Sequence, residues 1–192
     1  MDAAILEGGF RDATLDAQRV FRAVLSALAE PGTVHDLGEA ARPPLPLTPA
    51  LGALALALCD AETPVWLAPS YEGRPGDWIT FQTGARVTPE RAAAAFAFLD
   101  APDFDAFPIG TETYPDRSAT LILPAAFTGT TFTLRGPGIE ASRDVALALP
   151  AEFAARWQAN RALFPCGLDL ILVDGARIMG LPRTTEVACT SR

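Results

Sequence analysis

Arg183 is the residue of this chain best placed to do chemistry, because Pro182-Arg183-Thr184-Thr185 sets a cation between a proline and two hydroxyls. Its planar fork could grip a phosphate or phosphonate while the threonines donate to the remaining oxygens. A second use competes with this one. Residues 168–173 have the length and apolar content of a strand buried on both faces, and Asp169 falls on the same side as Ile171 and Val173. An unpaired carboxylate there would be costly, so Asp169 needs a cation or several backbone N–H groups, and Arg183 is its candidate partner. An internal ion pair or an anchor at a subunit contact outweighs direct ligand binding, since buried carboxylates require partners. The uses can coexist at a subunit contact.

Other constellations carry less. Asp60 and Glu62 before Thr63-Pro64 form a carboxylate pair of the kind used in acid–base catalysis, but an Asp at a helix end more often tightens a turn. Gly136-Pro137-Gly138-Ile139-Glu140-Ala141 matches Gly-x-Gly-x-x-Ala after a strand. Pro137, however, removes a backbone N–H where a dinucleotide loop would donate to pyrophosphate, so a turn is expected. Cys59, Cys166 and Cys189 are scattered without Cys-x-x-Cys spacing, which points to reduced thiols and to neither disulfide nor zinc. The single histidine, His35, receives no role, because a lone imidazole is more often structural than a ligand. No catalytic residue, metal site or cofactor is assigned.

Composition removes whole classes of mechanism. All 15 basic residues are arginines, so no lysine is present to form a Schiff base with pyridoxal phosphate, to hold phosphate in a P-loop or to act as a general base. Serine or cysteine catalysis would have to run through His35, and no Gly-x-Ser-x-Gly elbow occurs. A net charge of -8 without a dense arginine cluster opposes binding to nucleic acid or to an anionic membrane. No apolar run reaches the ~18 residues of a membrane span, and the acidic Met1-Asp2-Ala3-Ala4-Ile5-Leu6-Glu7 lacks the basic start of a signal peptide. A cytoplasmic protein is expected. At 192 residues and 49% hydrophobic, the chain suits one domain over 1–192.

The elements that must position these residues read as mixed α/β. Asp12 or Thr14 caps a first helix with Val20, Phe21, Val24, Leu25 and Leu28 on one face, ended by Pro31-Gly32. Thr48-Pro49 opens a second helix over residues 50–59, apolar nearly all round and therefore buried, before a strand at 65–68. Thr88-Pro89-Glu90 signals another helix over 91–99, and 150–164 forms the last. Strands are expected at 78–81, 119–123, 131–135 and 168–173, the last turning at Asp174-Gly175 into an antiparallel return over 177–181. Residues 41–49 and 100–116 are long surface connections.

The stretch Phe164-Pro165-Cys166-Gly167-Leu168-Asp169-Leu170-Ile171-Leu172, followed by Pro182-Arg183-Thr184-Thr185, resembles the C-terminal signature of the PhnH family, the H subunits of the bacterial carbon-phosphorus lyase core complex. Four further pieces agree in order: Ser26-Ala27-Leu28-Ala29-Glu30-Pro31-Gly32, Asp60-Ala61-Glu62-Thr63-Pro64-Val65-Trp66-Leu67, Ala119-Thr120-Leu121-Ile122-Leu123 and Leu134-Arg135-Gly136-Pro137-Gly138-Ile139. The resemblance spans nearly the whole chain. It implies an α/β/α sandwich with a mixed sheet, related in shape to the large domain of pyridoxal-phosphate transferases but without the cofactor site. It also implies a homodimer that joins the G, I and J subunits. The complex would couple an alkylphosphonate to ATP-derived ribose triphosphate with loss of adenine, giving alpha-D-ribose 1-methylphosphonate 5-triphosphate, after which radical chemistry in the J subunit breaks the carbon–phosphorus bond. This chain has no cysteine cluster for an iron–sulfur centre and no acid–base constellation for the displacement, so an accessory, noncatalytic part is expected. The alternatives are a stand-alone small transferase or hydrolase using carboxylates near Arg183, and a ligand-sensing dimer.

Overall fold

A computed structural model describes residues 3–190. A short α1, Ala3–Leu6, precedes α2, Ala13–Ala29, whose start is fixed by Asp12: its carboxylate accepts from the N–H groups of Thr14 and Leu15. After β1, His35–Asp36, Thr48 caps α3, Pro49–Leu58, by accepting from Leu51 N–H. The proline occupies the first turn, where its missing N–H is not needed. Then follow β2, Val65–Leu67, and α4, Arg74–Thr83. Strands β3, Phe96–Phe98, β4, Thr120–Pro124, β5, Thr130–Arg135, and β6, Arg143–Leu147, lead to α5, Glu152–Arg161. The chain closes with β7, Asp169–Asp174, β8, Arg177–Leu181, and β9, Glu186–Cys189.

Six strands form a mixed sheet in the order β1-β8-β7-β4-β3-β2. Strands β2, β3, β4 and β7 run parallel, β8 joins β7 antiparallel, and β1 pairs antiparallel with β8. Strand alternation divides the core. Ile122, Ile171, Val173 and Ile178 face a layer containing Val20, Leu51, Leu54 and Trp78 from α2, α3 and α4. Leu121, Leu170, Leu172 and Leu181 face Phe153 and Trp157 of α5 and the apolar side of a second sheet ordered β6-β5-β9. The mixed α/β architecture is therefore as expected. The second layer differs in that three antiparallel strands share it with one helix. At Gly180 the closeness of α2 to β8 requires the residue type, since a Cβ would stand 2.4 Å from the Ala27 carbonyl oxygen.

Three local expectations are corrected. Residues 78–81 are not a strand but part of α4, in which Trp78 and Ile79 are fully buried and Trp78 Nε1 donates to the Glu7 carbonyl at 2.8 Å. Gly84 ends that helix in the left-handed region at φ 75°, and the tertiary burial of Trp78 and Ile79 overrides the β-prone Trp-Ile-Thr-Phe composition. Residues 91–99 are not a helix: a single 3-10 turn, Arg91–Ala93, leads into β3. Parallel pairing of Phe96–Phe98 with both β2 and β4 overrides the helix propensity of the alanines. On α2, Val20, Val24 and Ala27 make the buried face, whereas Phe21 and Leu25 are about half exposed.

Candidate functional site

Asp169 opens β7 at the amino-terminal edge of the parallel strands, beside Thr120 of β4. Arg183 follows β8 and meets it there. The Arg183 backbone N–H donates to Asp169 Oδ1 at 2.8 Å, Nε donates to the same oxygen at 3.2 Å, and Nη2 donates to Oδ2 at 2.5 Å. Nη1 donates to the carbonyls of Pro115 at 2.9 Å and Pro165 at 3.3 Å, and Nη2 also donates to Ser118 Oγ. Every guanidinium N–H thus has an internal acceptor. With side-chain exposures of 13% and 23%, the pair is sheltered and fully spoken for.

The two threonines do not join it. Thr185 is buried, its carbonyl accepting from Trp157 Nε1 at 3.1 Å and its hydroxyl having no partner among the described residues. Thr184 is half-buried and turns to the other side, where its carbonyl accepts from Arg161 Nε at 3.3 Å. Asp169 and Arg183 are brought together as a unit, and Thr184 and Thr185 stand apart from the guanidinium. Ser118 and the Pro115 and Pro165 carbonyls complete the cluster. The two carbonyls are not legible as acceptors in the sequence, because a backbone acceptor carries no residue signature, and Ser118 lies 65 residues from Arg183.

The cluster clamps two loops around the start of β7. Gly167 N–H donates to the Ile109 carbonyl at 2.8 Å, and Asn160 of α5 uses its whole amide on Leu168, with Nδ2 to the carbonyl at 2.9 Å and Oδ1 from the N–H at 2.8 Å. Two open cavities flank the end of α5. One, of about 370 Å³, is lined by Phe104, Asp105, Ile109, Arg156, Asn160 and Leu163, among others. The other, of about 350 Å³, is lined by Pro137, Arg161, Phe164 and Thr184. Leu163, Phe164 and Ile109 are exposed large apolar residues at these cavities.

Groups that could have offered catalysis are engaged elsewhere. Asp60 Oδ1 accepts from Glu62 N–H and from Thr63 Oγ1, so the Asp60/Glu62 pair is a turn. Burial, with Asp60 as a lesser cause, pushes the Cys59 thiol up to about 12, far from nucleophilic use at neutral pH. His35 Nε2 lies 2.8 Å from Thr33 Oγ1. Gly136 accepts from Ile139 N–H in a tight turn, and Gly138 is required because a Cβ would stand 2.0 Å from the Ala29 carbonyl oxygen. Among the described residues no group of three His, Cys, Asp or Glu side chains could hold a metal ion. No helix among them is long and apolar enough to cross a membrane.

Topology bears on ligands as well. Open parallel sheets bind nucleotides beyond the carboxyl ends of their strands, at a point where strand order reverses. Here β2, β3, β4 and β7 succeed one another in one direction, and the Asp169–Arg183 pair lies at the opposite edge. The sheltered pair staples its loops beside the exposed apolar residues Ile109, Leu163 and Phe164.

Residues 8–188 match the model of the family described as bacterial phosphonate metabolism protein (PhnH). The chain belongs to the PhnH family. It is 44% identical over 191 residues to the alpha-D-ribose 1-methylphosphonate 5-triphosphate synthase subunit PhnH of Rhizobium meliloti (strain 1021), covering 95% of this chain and 96% of that protein. It is also 31% identical over 176 residues to a putative C-P lyase subunit protein HtxG of Stutzerimonas stutzeri, covering 88% of this chain and 85% of the relative. The matched residues include Phe164–Leu172 and Pro182–Thr185, whose charged residues Asp169 and Arg183 form the internal staple described above.

Proposed function

We propose that this PhnH-family chain is an accessory, noncatalytic subunit of a carbon-phosphorus lyase complex with ribose 1-methylphosphonate 5-triphosphate synthase activity. It would support the formation of alpha-D-ribose 1-methylphosphonate 5-triphosphate from ATP and an alkylphosphonate. The observation that carries this reading is the saturation of Arg183: the cation best placed to hold a phosphonate spends every donor on Asp169, Ser118 and two backbone carbonyls. The near-complete coverage of a relative named as a synthase subunit supports the same reading. Within it, the chain forms a cytoplasmic homodimer that joins the G, I and J subunits, and an α/β fold shaped like that of pyridoxal-phosphate transferases serves assembly in place of catalysis.

The test is reconstitution. The purified chain incubated with ATP and methylphosphonate should release no adenine by liquid chromatography, and adding the other subunits should restore release. Adenine formed by the chain alone would sink the noncatalytic reading in favour of a stand-alone transferase.

A further inference from the structure

The groove lined by Pro137, Arg161, Phe164 and Thr184 combines three features. First, it is apolar and uncovered: Phe164 is 63% exposed, and the apolar surface continues into the adjoining cavity, where Leu163 and Ile109 are 44% and 38% exposed. A single exposed apolar side chain is ordinary, but several around one helix end, beside two cavities, mark a contact surface.

Second, its walls are rigid. The last turn of α5 keeps its carbonyls satisfied, since Ala162, Leu163 and Phe164 N–H donate to Gln158, Asn160 and Arg161. Arg183 and Asn160 fix the adjoining segment through Pro165 and Leu168. A surface held this way loses little conformational freedom when something binds.

Third, its charge is unbalanced. Arg161 is oriented by its Nε bond to the Thr184 carbonyl, and its two Nη groups have no partner among the described residues. Among the described residues no carboxylate lines this groove, whereas the neighbouring cavity is lined by both Arg156 and Asp105. In a chain of net charge -8, a positive point set in apolar surroundings selects an acidic group framed by apolar ones.

We infer that this groove receives, from a partner subunit, an extended segment in which an apolar side chain packing on Phe164 and Pro137 stands next to a carboxylate that pairs with Arg161. The inference rests on the accessory-subunit reading. A free phosphonate fits less well, because it would meet one guanidinium in a lining that is otherwise largely apolar.

The experiment uses this chain co-purified with the other subunits of its complex. If the wild-type chain does not assemble with them, the accessory reading fails and this inference falls with it. Given a wild-type complex, Phe164→Ala and Arg161→Glu should each weaken association at least tenfold by interferometry. Phe21→Ala, at a comparably exposed site on α2, should not. Rising salt should weaken the wild-type complex and leave the Arg161→Glu complex unchanged. Circular dichroism should show both groove variants folded, and Arg161→Gln carries the charge test if Arg161→Glu does not fold.

Undiminished assembly of the groove variants overturns the inference, as does equal loss in Phe21→Ala. Saturable binding of methylphosphonate or inorganic phosphate that Arg161→Gln abolishes would overturn it in favour of a small-anion site. Conversion of a dimer to a monomer by Phe164→Ala would overturn it in favour of a second copy of this chain.

Discussion

Asp169 holds Arg183 by both its backbone and its side chain: one carboxylate accepts the N–H of residue 183 and pairs bidentately with the guanidinium of the same residue. The pair joins the turn after β8 to the start of β7, and the remaining Arg183 donors extend it to the loops carrying Pro115 and Pro165.

Removing either partner should therefore destabilise the fold strongly. Arg183→Ala should cost about 3 to 5 kcal/mol, because it leaves a sheltered carboxylate with one backbone donor and unties two loops. Asp169→Ala should cost somewhat less, since the guanidinium keeps Ser118 and two carbonyls. The double variant should cost less than the sum of the two. Urea denaturation of all four proteins measures this, and strict additivity would mean that the pair contributes no coupling.

Leu170→Asp should abolish soluble folding. Leu170 is fully buried on a strand flanked by β4 and β8, and an unpaired carboxylate there costs several kcal/mol against a typical total of about 5 to 15. Soluble expression with a native circular dichroism spectrum would contradict the placement of β7 at the centre of the sheet.

Trp66→Ala should cost about 2 kcal/mol, below the ~3 to 5 of a fully buried tryptophan. Trp66 is half-buried, meets Phe107 edge-on at 5.5 Å and lies under the Arg91 guanidinium at 4.6 Å. Thermal melts of Trp66→Ala and Trp66→Phe should separate lost cation–π contact from lost area, with Phe retaining most of the stability.

Asp103 makes an acid-side prediction. A hydrogen bond from Arg91, outweighing the opposing effect of burial, holds its carboxyl below the ordinary 3.8. A lowered native value contributes stability that is present above pH ~4 and is lost as pH falls through the native value. The stability difference between wild type and Asp103→Asn should shrink as denaturation is carried from pH 6 towards pH 3, and a difference independent of pH would remove the Arg91 bond as its cause.

Cys59 makes the alkaline counterpart. Its thiol is pushed from 9.0 up to about 12 by burial, so the unfolded chain loses this proton first and stability should decline as pH rises above 9. At pH 8 a thiol reagent should modify Cys59 only on unfolding. Rapid labelling of native Cys59, located by peptide mapping, would contradict its buried setting.

What the sequence decided alone was local or subtractive. The absence of lysine excludes Schiff-base and P-loop chemistry whatever the fold. Asp12, Thr48-Pro49 and Gly175 start or turn their elements through bonds and dihedrals within a few residues, which is why α2, α3 and the β7–β8 hairpin were legible. The apolar run around Leu170 announced a central strand, and Asp169 within it announced the need for a partner. Tertiary structure decided the rest. Whether 78–81 coils and 96–98 extends depended on neighbours distant in sequence: the Glu7 carbonyl under Trp78, and β2 and β4 on either side of β3. Phe21 and Leu25 share a helical stripe with Val20 and Val24, and only the placement of α2 over β8 determines which side of that stripe meets the core. The same holds for chemistry. Arg183 and its two threonines are adjacent in the chain, but backbone direction after β8 turns the guanidinium to Asp169, buries Thr185 and leaves Thr184 beside Arg161, because adjacency fixes spacing along a chain and not the side to which each group points.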